Sequence, residues 1–311
     1  MKLFRVLLSA VAFCVLTASV FAQATRQEGP DLVPNGKGWS ESTDHGPGNA
    51  PGRVNNQAGK PSGSGNGIFY HGGPVMLGQT NIYYIWYGNW SGNSAVTILT
   101  DLAQNIGGSA YFNINTTYYD GANTPVSNLV RYAGSTTDNY SKGTSLTDSN
   151  IQQIVASAIT SNRLPLDSHA VYFVLTSSDV TASSGFCTQY CGWHTHGTIS
   201  GTDIKYSFVG NPARCPSACA EQTSTSPNGN VGADGMASII SHELEEAVTD
   251  PDLNAWYDHR GMENADKCAW TFGTTYPASN GSLANVKLGT RDFLIQRNWV
   301  NDAGGFCSMS Y

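Results

Sequence analysis

Charge is what this chain has least of: Asp, Glu, Lys and Arg make up 13% of its 311 residues, and no run of Lys or Arg forms a basic cluster. Without such a patch nothing holds a phosphate backbone or an anionic bilayer, so no nucleic acid and no membrane surface is expected as a partner. Long apolar runs are missing too, with one exception at the start. Val6 to Val20 follows Lys2 and Arg5 and runs into Val20-Phe21-Ala22, which offers small residues at the cleavage positions. The pattern predicts a signal peptide over residues 1–22, too short and wrongly flanked for a membrane span. Cys14 inside it lacks the small-residue setting of a lipid-anchor site. There is no internal repeat. Neither a Gly-x-Ser-x-Gly elbow nor a phosphate loop in strand–helix context occurs. The expected product is secreted, extracellular or periplasmic, with no membrane segment after cleavage.

Removing 22 residues leaves 289, with 14 basic against 23 acidic side chains and a net charge of −9. Residues 23–66 are Gly, Pro, Asn and Ser with scattered charge and almost nothing to bury, which predicts a disordered lead, a linker or a pro-segment. From residue 67 the apolar pattern begins. Ile68 to Met76 reads as a strand broken by a turn. The runs from Asn81 to Tyr87 and from Ala170 to Thr176 are apolar and aromatic throughout, as buried central strands require, and Ile204 to Val209 is a further strand. Tyr111 to Tyr119 and Leu129 to Ala133 read as strands of a Thr- and Asn-rich sheet. Apolar spacings of three and four predict helices from Ser94 to Ile106, capped by Ser94, and onward from Asp148, capped by Asp148. Val286 to Tyr311 reads as short strands around Gly-rich turns. With no linker beyond residue 66, residues 67–311 are expected to form one α+β domain with a mixed sheet.

Six cysteines lie outside the leader: Cys187, Cys191, Cys215, Cys219, Cys268 and Cys307. An even count after export favours disulfides. The spacings Cys187-x-x-x-Cys191 and Cys215-x-x-x-Cys219 also permit a four-thiolate zinc site. In an oxidising compartment the expectation is two short local bridges within those pairs, plus Cys268 to Cys307.

The chemistry is expected on the stretch from Asp234 to Pro251. Met236, Ile239, Ile240, Leu244, Ala247 and Val248 recur at helical spacing, and Pro251 stops the run. His242 and Glu246 are four apart and project from one face, one turn from each other, with Glu243 beside His242. This is the zinc-protease helix His-Glu-x-x-His with glutamate in place of the second histidine, a replacement that zinc coordination permits. The alternative is an ordinary solvated helix face. His194-Thr-His196 is a rival pair, since on an extended segment both imidazoles face one side. Its preferred reading is a surface loop pinned by disulfides. His71 is read as a hydrogen-bonding residue of a turn or core, and most Tyr and Trp rings as packing groups rather than glycan platforms.

Several stretches occur in an order that resembles one known family. They are Tyr70-His71-Gly72-Gly73-Pro74-Val75, Ile85-Trp86-Tyr87-Gly88, Tyr172 to Thr176, Phe186-Cys187 to Cys191-Gly192 and Cys215-Pro216 to Cys219-Ala220. Asp234-Gly235-Met236 to Glu246, Asn254-Ala255-Trp256-Tyr257 and Glu263 to Cys268 complete the set. The family is EXORDIUM, or phosphate-induced protein, and the resemblance covers about residues 68–310. It implies an extracellular or cell-wall protein without an agreed biochemical activity. The family pattern keeps His-Glu-Leu-x-Glu, here His242, Glu243, Leu244 and Glu246, and then Glu-x-x-Asp, here Glu263 and Asp266. The position of Asp250 is often Asn, which makes Asp250 a turn former before Pro251 rather than a ligand. Glu246 to Pro251 is also similar to uncharacterised secreted zincin-like proteins.

These resemblances imply a zincin-like domain with a central metal-site helix and disulfide-pinned loops. Zn²⁺ would be held by His242, Glu246 and either Glu263 or Asp266, with Asp266 alternatively orienting a ligand. Glu263 follows Glu246 by 17 residues, close to the separation in zincins whose third ligand is a glutamate. Glu243 would be the general base that takes a proton from the attacking water. The expected function is a secreted zinc-dependent hydrolase, peptidase-like, acting on a peptide or cell-wall substrate. The alternative is a non-catalytic extracellular or cell-wall-associated binding protein.

Overall fold

The computed structural model describes residues 67–311, so the expected signal peptide (1–22) and lead (23–66) lie outside the described residues. Five strands form the main sheet: β1 (Thr80–Tyr87), β2 (Val130–Asp138), β3 (Ala170–Thr176), β4 (Gly192–Ile199) and β5 (Thr202–Val209), in the order β2-β1-β3-β5-β4. The pairs β1–β2, β1–β3 and β3–β5 are parallel, and β4 runs antiparallel to β5. Connectivity explains the difference. Helices α1 (Ala95–Asn105) and α2 (Asp148–Thr160) carry the chain back between successive parallel strands. Between β4 and β5 only Ser200 and Gly201 intervene, at φ 51° and 80°, the two-residue turn that closes a hairpin. Helices and strands therefore alternate in a mixed α/β fold rather than segregating. The α1 crossover steps from β1 out to β2 and the α2 crossover steps back across β1 to β3, so right-handedness places the two helices on opposite faces. Every β3 residue is buried, as a doubly covered parallel strand requires.

The third long helix, α3 (Val231–Thr249), packs against β4, β5 and α1. Its start is fixed by Asn230, whose side chain accepts the Ala233 N–H at 3.0 Å. Its end comes at Asp250, before Pro251. From Met236 to Thr249 all but one of its residues are buried, so it has no broad solvated face. Helices buried all round are normally apolar. This one carries His242, Glu243, Glu245 and Glu246, each at most 1% exposed. Ionised groups at that depth need counter-charges.

Several expectations need correction. Tyr111 to Tyr119 is not a strand; Phe112–Thr117 is a 3₁₀ helix. Asn115 Nδ2 donates to the Phe112 carbonyl, and the Thr116 and Thr117 hydroxyls donate to the Asn113 and Ile114 carbonyls. Such bonds to the third residue back compete with a strand ladder. Ser94 stands at the head of α1 but makes no capping bond; Asn93 Oδ1 accepts the Ala95 N–H at 3.0 Å instead. The cap of α2 is Thr147, reciprocating with Asn150, so Asp148 is the first helical residue. Ile68 to Met76 contributes only Phe69–Tyr70, paired with Trp256–Tyr257.

The two local disulfides are also replaced. Cys187 pairs with Cys215 and Cys191 with Cys219, while Cys268 pairs with Cys307 as expected. Pro216–Cys219 is one helical turn, which sets Cys215 and Cys219 on the same side, opposite Cys187 and Cys191. The Cα atoms are 5.9 and 5.6 Å apart in the two pairs, within reach of a bridge. No thiolate is left among these four for a zinc site. His194 and His196 are not on a surface loop: both belong to β4, and His194 is buried. Among the described residues no helix is long and apolar enough to cross a membrane. The three disulfides fit an extracellular protein.

Candidate metal centre

The helical period sets the first two groups. His242 Nε2 lies 3.0 Å from Glu246 Oε1, one turn on. Glu243 sits about 100° round the helix from His242, turned toward β4. What lets β4 come so close is Gly192: a Cβ there would stand 2.4 Å from Ile239 Cγ2 and 3.0 Å from both Glu243 Oε1 and the Phe208 carbonyl oxygen. Strand alternation then turns Trp193 to the far side, against Phe208, and aims His194 at the helix. His194 Nδ1 is 3.6 Å from Glu243 Oε2 and 3.5 Å from Glu246 Oε2, and its Nε2 is 3.7 Å from Glu263 Oε1.

Glu263 and Asp266 arrive from the loop beyond α3. Asp250 Oδ1 accepts the N–H groups of Asn254 and Ala255, each at 2.6 Å, which turns the chain back; Asp250 is a turn former. The Cys268–Cys307 bridge fixes the following 3₁₀ turn, Asp266–Cys268. Asp266 N–H donates to Glu246 Oε1 at 3.1 Å, and Asp266 Oδ1 lies 3.4 Å from His242 Nε2. On the other edge of the ring, the Gln296 side-chain amide lies against His242 Nδ1.

Electrostatically the cluster is unbalanced. Glu243, Glu246, Glu263 and Asp266 face two imidazoles, and among the described residues no Lys or Arg forms an ion pair with them. Burial pushes Glu243 and Glu263 above the usual carboxylate range, and burial with Glu246 beside it raises Asp266. Burial works against a charged His242, yet the Glu246 carboxylate holds it well above the usual imidazole value; Glu263 does the same for His194. Glu246 goes the other way, pulled down by His242 against its burial. The protein thus keeps protons where positive charge is wanted. Glu243 Oε1 and Oε2 and Glu263 Oε1 are buried without a hydrogen-bond partner among the described residues. One atom each of His194, Glu246 and Glu263 lie within 4.8 Å of one another, and so do atoms of His242, Glu243 and Glu246; either set could hold a metal ion.

All five site residues named from the sequence, His242, Glu243, Glu246, Glu263 and Asp266, meet here. His194, set aside from the sequence as half of a rival pair on a surface loop, joins them, and Gln296 was missed. His196 shares the face of His194 but pairs with Asp203 at 2.8 Å, beside Lys205. His71 is exposed, stacks on Tyr257 at 3.7 Å and meets its carbonyl through Nε2, apart from the cluster. The signal for His194 was the alternation Gly192, His194, His196 opposite Trp193, ending in a hairpin turn.

Residues 68–293 match the conserved region of phosphate-induced protein 1, with α3, His194, Glu263 and Asp266 all inside the matched span. The chain belongs to the phosphate-induced protein 1 family. Among its EXORDIUM relatives, Protein EXORDIUM-like 3 of Arabidopsis thaliana is 34% identical over 74% of this chain and 79% of its own length. Protein EXORDIUM-like 5 of the same plant is 34% identical over 74% of each. Protein PHOSPHATE-INDUCED 1 of Nicotiana tabacum is 29% identical over 69% of this chain and 76% of its own. No solved structure matches this phosphate-induced protein.

Proposed function

We propose that this EXORDIUM-like protein is a secreted zinc-dependent hydrolase of zincin-like design, acting on a peptide or cell-wall substrate. The observation that carries the reading is convergence. Side chains from β4, α3 and the 263–266 loop bring donor atoms to separations of 3.0 to 3.7 Å around a charge deficit. Mixed imidazole and carboxylate donors suit a borderline divalent ion such as Zn²⁺. Held there, the ion would lower the pKa of a water and polarise a carbonyl. Neither Glu243 oxygen accepts a hydrogen bond among the described residues, and burial raises the carboxyl above its usual range, which suits a base that must take up a proton. Gln296 holds the far edge of His242 and leaves its Nε2 aimed at Glu246 and Asp266.

A second reading has its own observation. No residue of the cluster is more than 6% exposed, and closed sites are the structural kind. On that reading the metal stiffens a non-catalytic binding protein. Metal analysis of the purified mature chain, beside a broad peptide-cleavage screen, separates the two. Stoichiometric zinc with cleavage supports the hydrolase. Zinc without cleavage leaves the structural site, and no zinc ends the hydrolase reading.

A further inference from the structure

Glu246 does something a single-ion site does not need: its two oxygens serve different imidazoles. Oε1 faces His242 Nε2 at 3.0 Å and takes the Asp266 N–H at 3.1 Å, whereas Oε2 faces His194 Nδ1 at 3.5 Å. The cluster thus has two lobes that share one carboxylate. On one side stand His242 and Asp266, with Asp266 Oδ1 3.4 Å from His242 Nε2. On the other stand His194 and Glu263, with Glu263 Oε1 3.7 Å from His194 Nε2. Glu243 looks into both, 3.6 Å from His194 Nδ1 and grouped with His242 and Glu246.

The separations are informative. Hydrogen bonds from imidazole to carboxylate fall at about 2.7–3.2 Å. Two ligands on one tetrahedral zinc, each with a bond of about 2.0–2.1 Å, stand about 3.3 Å apart. Asp266 at His242 Nε2 and Glu243 and Glu246 at His194 Nδ1 stand 3.4 to 3.6 Å away, longer than hydrogen bonds and close to the edges of coordination polyhedra, while Glu263 stands 3.7 Å from the other nitrogen of His194, Nε2, which also meets the Asp250 carbonyl at 3.4 Å. Charge points the same way. With both imidazoles neutral, as ligands must be, the four carboxylates of Glu243, Glu246, Glu263 and Asp266 carry −4. One divalent ion leaves −2 on these four carboxylates, and two balance them. Six donor side chains also exceed the four places on one zinc. The unpartnered, buried Glu263 Oε1 and both Glu243 oxygens are aimed into this space.

We propose that the centre is dinuclear, with Glu246 bridging one divalent cation held by His242 and Asp266 and a second held by His194 and Glu263. This rests on the metal-site reading above but asks a separate question, the count. Carboxylate-bridged ions about 3.5–4 Å apart are a recurrent arrangement, and the donor set takes Zn²⁺ or Mn²⁺.

The test is stoichiometry on the untagged mature chain, stripped with chelator, reloaded with Zn²⁺ and desalted before elemental analysis. Two zinc ions per chain are expected. Glu263→Gln and Asp266→Asn, each nearly isosteric, should fall from two to one. Loaded with Mn²⁺, the wild type should show a spin-coupled electron paramagnetic resonance spectrum that Glu246→Gln abolishes. The surface group His196, Asp203 and Asp252 is the competing location for a second ion, although Lys205 Nζ already sits 2.5 Å from Asp203. The double variant His196→Ala, Asp252→Asn should still bind two ions. One ion per wild-type chain overturns the dinuclear proposal and leaves the metal site standing, as does loss of the second ion in that double variant. No ion at all overturns both.

Discussion

Glu243 is the residue on which the hydrolase reading is most exposed. Glu243→Gln keeps the shape, removes the base and leaves the ligands alone, so hydrolysis should fall by about 10²–10⁴-fold with zinc content unchanged. His242→Ala should lose both, because it deletes a nitrogen ligand. Elemental analysis and a cleavage assay on the same preparations decide this; zinc lost in Glu243→Gln would make that residue a ligand. At this scale the sequence was readable where proximity is local. His242, Glu243 and Glu246 fall together because a helix repeats every 3.6 residues, and Glu263 and Asp266 followed from the family pattern. His194 was not readable in the same way. It lies 52 residues from Glu246, and it reaches the site through the β4–β5 pairing and the absence of a side chain at Gly192.

Between elements, the contact of β4 with α3 is the one that assembles the site. Gly192→Ala puts a methyl 2.4 Å from Ile239 Cγ2 and 3.0 Å from the Phe208 carbonyl, and backbone on one side cannot yield. Overpacking of this kind costs about 1–3 kcal/mol. The expected outcome is a lower urea midpoint together with weaker zinc binding, since His194 moves with the strand. An unchanged midpoint would mean that β4 can retreat freely. A control away from the site is Thr147→Ala, which removes one half of the α2 capping box and should cost about 1 kcal/mol without touching zinc affinity. The buried strands β1 and β3 were legible because continuous apolar runs have few other uses. The segment around Asn115 was not, because its alternation looked like a strand while its side chains bond back to their own carbonyls. Parallel pairing also hid behind helix lengths that sequence spacing does not convert into topology.

For the molecule as a whole, the cluster should tie stability to pH with opposite signs in the two metal states. Burial raises Glu243, Glu245, Glu263 and Asp266, and neighbouring carboxylates raise His194 and His242 against their burial. Each raised group binds more protons folded than unfolded. Its contribution is full below the unfolded value, about 4 for the acids and 6.5 for histidine, and is lost as pH rises through the folded one. Glu246, lowered by His242, has the reverse slope, confined to acid below the ordinary carboxylate value. Chelated protein should therefore melt higher at pH 5 than at pH 8. Zinc displaces those protons and should invert the order. Thermal melts at both pH values, with and without chelator, check it; a chelated protein more stable at pH 8 would contradict the arrangement of charges. The paired bridges Cys187–Cys215 and Cys191–Cys219 have a different consequence. Each spans 28 residues, and they close the same loop twice. By chain entropy the first closure contributes about 3.5 kcal/mol and the second, which confines only the few residues between the rungs, about 2–3. The loop is therefore fail-safe: reductive cutting of either rung leaves it shut, and the strand that carries His194 is released only when both are open.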